Sequence, residues 1–150
     1  SCRMSARKPF DKKLYEKYDR LARVATKAHL KKKGFTAVDH HNKYAQDLIA
    51  SKTDEWGVNY SDPFCVECEV KIVWSGSNFP YNTVQLPQRK KKFFKELTLF
   101  YIWNKQLTHA VMFWSQKIKH LKPVEVKNKY VGKGEYFYQI PLELTTIIKR

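Results

Sequence analysis

Asp47 and the run Glu69-Val70-Lys71 are the residues whose types and spacing best suit chemistry. Glu69 and Lys71 stand two apart in an alternating stretch, Phe64 to Trp74, so on an extended chain their side chains leave the same face. Two carboxylates converging on one point offer the hard oxygen ligands that Mg²⁺ or Mn²⁺ prefers. A lysine beside them orients or helps deprotonate a water, and its charge stabilises a phosphoryl group in transfer. Phosphodiester hydrolysis needs those parts. Charged groups on one face of an otherwise apolar strand are costly unless they serve each other or a ligand.

Glu67 lies on the same face two residues earlier, placed to share the metal or to sit at the rim. The E-x-K spacing to Lys71 favours Glu69 over it. A plainer reading of the same residues is a strand with a solvated polar face, on which Glu67, Glu69 and Lys71 form cross-strand ion pairs.

The elements that must position these residues are legible in the pattern. Leu14, Tyr18, Leu21, Ala25 and Ala28 recur at steps of four and three, which predicts a helix over Asp11 to Lys33. Asp11 suits its N-cap, Lys31 to Lys33 suit the dipole of its last turn, and Gly34 ends it. Phe35 to His40 and Tyr44 to Ser51 read as strands, and Lys52 to Pro63 as a loop. Phe64 to Trp74 is the clearest strand. Thr83 to Leu86 reads as a further strand and Arg89 to Glu96 as a short basic helix. Leu97 to Asn104 and His109 to Ser115 read as two strands joined by a turn at Lys105 and Gln106. Ile118 to Tyr130 has no single pattern, and Pro123 argues against a continuous helix there. Glu135 to Pro141 reads as a late strand. A helix first, then strands with helices added, predicts an α/β sandwich around a mixed sheet in one domain spanning 1–150.

With these elements in place, the chain resembles the PD-(D/E)XK, or restriction endonuclease-like, nuclease superfamily. That family places an Asp on the second core strand and a (D/E)-x-K on the third, after an opening helix. The resemblance implies an α/β/α sandwich with a mixed central sheet and a Mg²⁺- or Mn²⁺-dependent endonuclease acting on DNA. Asp47 and Glu69 would hold the metal, the carbonyl of Val70 would be a further ligand, and Lys71 would activate the water. Gln46 stands where the family's Pro would be, although the Pro carries no chemistry. Some members add an acidic residue from the opening helix, a part open here to Glu16 or Asp19. Many pair to cut both strands, so a homodimer is a further expectation.

Lys and Arg total 29 against 14 Asp and Glu, a formal net charge of +15, which calls for an anionic partner. DNA is the expected one, with RNA also open. Arg89, Lys90, Lys91, Lys92 and Lys95 suit phosphate contacts, as do Lys31 to Lys33 and Lys117, Lys119 and Lys122. His41 is a candidate phosphate or water contact, although a surface histidine pair with His40 is the plainer reading; His109 and His120 suggest no role. Trp56 falls in a loop and is a candidate for a base or sugar; Trp74, Trp103 and Trp114 fall in apolar strand patterns and belong to the core. Cys2, Cys65 and Cys68 form no disulfide framework, which suggests a reducing, cytoplasmic setting. Cys65 and Cys68 would leave opposite faces of a strand, which argues against a zinc or redox site. No run approaches the ~18 apolar residues of a membrane span, so no membrane partner is expected. The other function classes open are a basic nucleic-acid-binding module with structural carboxylates, and an interaction or inhibitor protein.

Overall fold

The computed structural model of the chain describes residues 11–127 and 134–150. Helix α1 (Lys12–Lys32) begins where the Asp11 carboxylate accepts the Leu14 N–H at 3.0 Å. Lys31 and Lys32 lie in its last turn, and Gly34, at φ +91°, reverses the chain after it. The buried stripe is rotated from the expected one toward Ala22, Thr26 and His29. Polar partners explain the rotation. The buried Trp103 indole N–H donates to Thr26 Oγ1 at 2.8 Å, and His29 Nδ1 lies 2.8 Å from the Tyr101 hydroxyl.

The strands are β1 (Thr36–Asp39), β2 (Leu48–Ser51), β3 (Phe64–Val70), β4 (Thr83–Pro87), β5 (Thr98–Trp103), β6 (His109–Trp114), β7 (Val124–Val126), β8 (Glu135–Pro141) and β9 (Thr146–Lys149). A six-stranded mixed sheet runs β1-β2-β3-β5-β6-β9, and a three-stranded antiparallel sheet runs β4-β8-β7. Among the described strands, only β3 and β5 pair in parallel, Glu67 opposite Phe100. Every residue of β5 is buried, as a strand covered on both faces requires.

An α/β/α sandwich predicts helices on both faces. Here α1 covers one face, packing Ala22, Ala25 and Leu30 against Leu48, Val66, Cys68, Leu99 and Trp103. The other face is covered by the small sheet, the 3₁₀ helix η1 (Gln88–Lys95) and the four-residue helix α2 (Ser115–Ile118). Trp74, Val84, Phe93, Phe100, Val111 and Ile140 fill the space between. The fold is mixed α/β, with one large mixed sheet and one small antiparallel sheet. Among the described residues, no helix is long and apolar enough to cross a membrane.

Two strands are shorter than their sequence pattern. β2 starts at Leu48 because the preceding loop turns on Asn42, whose side chain accepts the Tyr44 N–H while its carbonyl accepts that of Ala45. β3 stops at Val70 because the chain turns at Lys71, whose carbonyl accepts the Trp74 N–H, and this swings Trp74 into the second core. Trp74 and Trp103 are fully buried as expected; Trp114 is only half-buried.

Thr26→Val keeps the side chain's volume and removes the acceptor of the Trp103 indole. Urea unfolding is expected to show a loss of about 1–3 kcal/mol, the cost of an unpaired buried donor. A loss under a few tenths would mean that this bond does not seat α1.

Candidate active site at the mouth of strand β2

The β1–β2 connection closes where the His40 N–H donates to the Asp47 carbonyl at 3.0 Å, so Asp47 is the last residue before β2. Its neighbour Gln46 is buried, and its side-chain amide donates to Thr98 Oγ1 at 3.0 Å. Thr98 in turn donates to the Phe93 carbonyl at 2.8 Å, tying the loop to η1 and β5. Gln46 therefore anchors the backbone at a position where Pro would only have stiffened it.

Asp47 is then fixed from the helix side. Arg23 donates from Nη2 to Asp47 Oδ1 and from Nη1 to the Asp47 carbonyl, both at 2.9 Å. Arg23 is held in turn by Asp19 at 3.1 Å, with Asp39 at 3.5 Å. The second carboxylate oxygen, Oδ2, accepts the Cys68 N–H at 2.9 Å.

Strand register sets the second carboxylate. Leu48 pairs with Val66, which brings Asp47 beside Glu67, and the Asp47 N–H donates to Glu67 Oε1 at 3.3 Å. Glu67 is buried and faces η1. There the buried ammonium of Lys90 meets Glu67 Oε2 directly. Acid and base are thus both withdrawn from water. Such a pair needs near-complete mutual satisfaction to persist.

The two neighbouring carboxyls are pushed in opposite directions. Burial, and then the adjacent charge of Glu67, push the Asp47 carboxyl up to about 7, against the pull of the Cys68 N–H and Arg23. Burial works to raise Glu67, but Lys90 leads the contributions that together hold it below its ordinary value. Lys90 loses solvation on burial, yet the charges of Glu67 and Glu69 hold it above the ordinary lysine range. Near neutral pH the site therefore contains an ionised Glu67, a charged Lys90 and an Asp47 that is partly protonated.

The expected site residues are only partly brought together. Asp47 is at the centre. Glu69 lies two residues past Glu67 on the same face, half-buried, close enough for its charge to act on Lys90. Lys71 lies beyond the end of β3, its ammonium 5.0 Å from the centre of the Tyr81 ring. The side chain of Val70 is in the core under α1. The carboxylate that bonds to the Asp47 backbone is Glu67, and the ammonium that meets Glu67 is that of Lys90 on η1.

Lys90 is removed from the expected phosphate-contacting run, because it is 3% exposed. Arg89, Lys91, Lys92 and Lys95 on the same helix are exposed. The sequence held a signal for this. Lys90 and Phe93 are three apart, the repeat of a 3₁₀ helix, and they are its two buried residues. His41 is exposed in the loop before Asp47, its ring 4.7 Å from that of His40. Asp19 reaches the site only through Arg23, while Glu16 faces solvent with Lys12 at 3.9 Å.

Cys65 and Cys68 leave opposite faces, and both thiols are free; Cys2 lies outside the described residues. Burial, then Glu96, push the Cys65 thiol up to about 12, and burial raises Cys68 too, so neither is a thiolate near neutrality. Among the described residues, no group of three or more His, Cys, Asp or Glu is placed to hold a metal ion. The donors on offer at this site are the carboxylates of Asp47 and Glu67.

No family model matches the chain, and no curated protein or solved structure matches it.

Lys90→Met removes the ammonium that meets buried Glu67, and is expected to cost about 3–5 kcal/mol near pH 7. Glu67 is held below its ordinary value, so the pair's contribution is present above the unfolded glutamate value and is lost as pH falls through the lower folded value. The deficit should therefore shrink only below about pH 4. Adding Glu67→Leu to Lys90→Met should recover much of the loss in chemical denaturation. A deficit independent of pH would show that the two groups are not ionised partners.

Proposed function

We propose that this chain is a metal-dependent nuclease of the PD-(D/E)XK type, with Asp47 and Glu67 as its carboxylates and Lys90 as its lysine. The observation that carries the reading is the cluster of half-buried Asp47 with buried Glu67 and Lys90 at one end of the sheet. No packing purpose requires two acids and an ammonium there, and their burial is costly. The placement of Asp47 at the mouth of the second strand and Glu67 on the third, after an opening helix, supports the same reading. A restriction endonuclease-like architecture goes with it, although short turns and a small sheet stand where a second helical layer is expected.

Mg²⁺ or Mn²⁺ fits the donor set. Both candidate ligands are hard carboxylate oxygens, and a metal would have to displace partners they already hold: Arg23 and the Cys68 N–H on Asp47, the Asp47 N–H and Lys90 on Glu67. A cation held by Asp47 and Glu67 supplies Lewis acidity toward a phosphoryl oxygen. Lys90, charged at neutral pH, serves as a fixed donor to the charge that develops on the phosphate and not as a base. Arg23 holds Asp47 in one orientation. Lys91, Lys92 and Lys95, exposed on the helix that carries Lys90, suit the flanking phosphates of DNA or RNA. One observation favours a second reading: the Glu67–Lys90 contact is already closed, as in a structural ion pair within a basic nucleic-acid-binding module.

The test is cleavage of supercoiled plasmid, single-stranded DNA, branched DNA and RNA with Mg²⁺, Mn²⁺ or EDTA. Asp47→Asn and Lys90→Arg, checked for folding by circular dichroism, are expected to lose about 10²–10⁴-fold in rate while still binding nucleic acid. Lys71→Ala should lose about tenfold or less, consistent with a phosphate contact. Loss with Lys71→Ala but not with Lys90→Arg would restore the E-x-K assignment. Tight binding with no cutting of any substrate would leave the binding module.

Metal uptake should also depend on pH. Asp47 is largely protonated below about 7, so a metal must displace that proton there. Calorimetric Mg²⁺ affinity is expected to rise with pH up to about 7 and then level, with proton release near pH 6. A flat profile would show that Asp47 is not a ligand.

A further inference from the structure

The connection between β2 and β3 is an ordered finger and not an open loop. Thr53 bridges to Asn59, and the Tyr60 N–H donates to the Lys52 carbonyl at 3.0 Å. The Asp54 side chain accepts the N–H groups of Trp56 and Val58, each at 2.9 Å, which fixes the turn. The finger nonetheless buries little of what it carries: Trp56 is 82% exposed, Val58 59% and Tyr60 65%. Held apolar surface without a partner is the signature of a contact made in association.

Charge selects the partner. Residues 52–62 carry one lysine against Asp54, Glu55 and Asp62, a net of −2 in a chain of net +15, so the other residues together carry +17. An acidic finger repels phosphates, which disfavours a base-stacking role for Trp56. It also springs from the far end of β2, which leaves Asp47 and runs to Ser51 before the finger begins. What an acidic, aromatic finger fits is a basic protein surface. One lies beside it. The exposed Lys31, Lys32 and Lys33 close α1 just before β1, and the Thr36 hydroxyl at the start of β1 lies 3.1 Å from that of Thr53 at the finger's base. A patch with an acidic finger and a lysine cluster side by side is complementary to its own copy turned through a two-fold axis.

We propose that this end of the molecule is a dimer interface in which the Trp56 finger of each chain docks on the Lys31–Lys33 cluster of a second copy. The inference does not depend on the proposed chemistry.

Light scattering and sedimentation of the intact protein should show a monomer–dimer equilibrium between about 1 and 100 µM, the range of a modest interface. Trp74 and Trp103 are fully buried, so Trp56 dominates acrylamide quenching, which should fall as the dimer forms. Trp56→Ala and Glu55→Lys should each weaken association by about tenfold or more, as central contacts do. Mixing Glu55→Lys with Lys32→Glu should restore a heterodimer. A protein that stays monomeric at about 100 µM with Trp56 fully quenchable overturns the proposal. So does an equilibrium that Trp56→Ala and Glu55→Lys leave unchanged, and so does a monomer whose Trp56 is quenched by oligothymidylate, which would assign the finger to nucleic acid.

Discussion

The contact between Glu67 and Lys90 is the constraint on which the rest of the site depends. It joins the third strand of the large sheet to the 3₁₀ helix on its second face, and it does so where neither group has access to bulk water. Coulomb attraction there is strong, but so is the loss of hydration, and the balance favours the pair only while both partners are held in place. Phe93, three residues after Lys90 on the same helix, provides that hold through the apolar core. Glu67 then biases its other neighbour, Asp47, toward the protonated form. Arg23, from the opposite face, keeps Asp47 from turning away.

The site therefore spans the sheet. Arg23 approaches from the helix-covered face, Lys90 from the face carrying the small sheet, and the two acids meet at the sheet's end, where β2 has not yet begun. Gln46 makes the geometry specific. It is one of the few buried polar side chains, and it links the Asp47 loop to Thr98, at the start of the fully buried strand β5. Exposed lysines crowd both outer faces, and the 3₁₀ helix sets a row of outward cations beside Lys90 itself.

Much of this was legible in the sequence, and the reasons for the rest are physical. The opening helix, its Asp11 cap and the paired strands around Lys105 follow from periodicity and local hydrogen-bonding capacity. Asp47 stands out as the acid that precedes the Glu69-Val70-Lys71 run. Glu67 and Glu69 share a face, so alternation alone does not separate them. What separates them is register, Leu48 against Val66. Lys90 was hidden in a run of cations that looked uniformly solvated, and only the three-residue repeat with Phe93 marks it as inward. The rotation of α1 depends on partners for Thr26 and His29 that lie more than seventy residues away.

Those wide spacings have a consequence for how the molecule comes into being. Arg23, Asp47, Glu67 and Lys90 are separated by 24, 20 and 23 residues, and each rides on a different element. Lys90 belongs to the crossover between β3 and β5, so it reaches Glu67 only as the parallel pairing of those strands closes over it. Such non-local closure is a late and slow event in folding. A chain still emerging from the ribosome has the two acids long before it has the lysine between its final neighbours. The cluster is therefore assembled only with the completed fold.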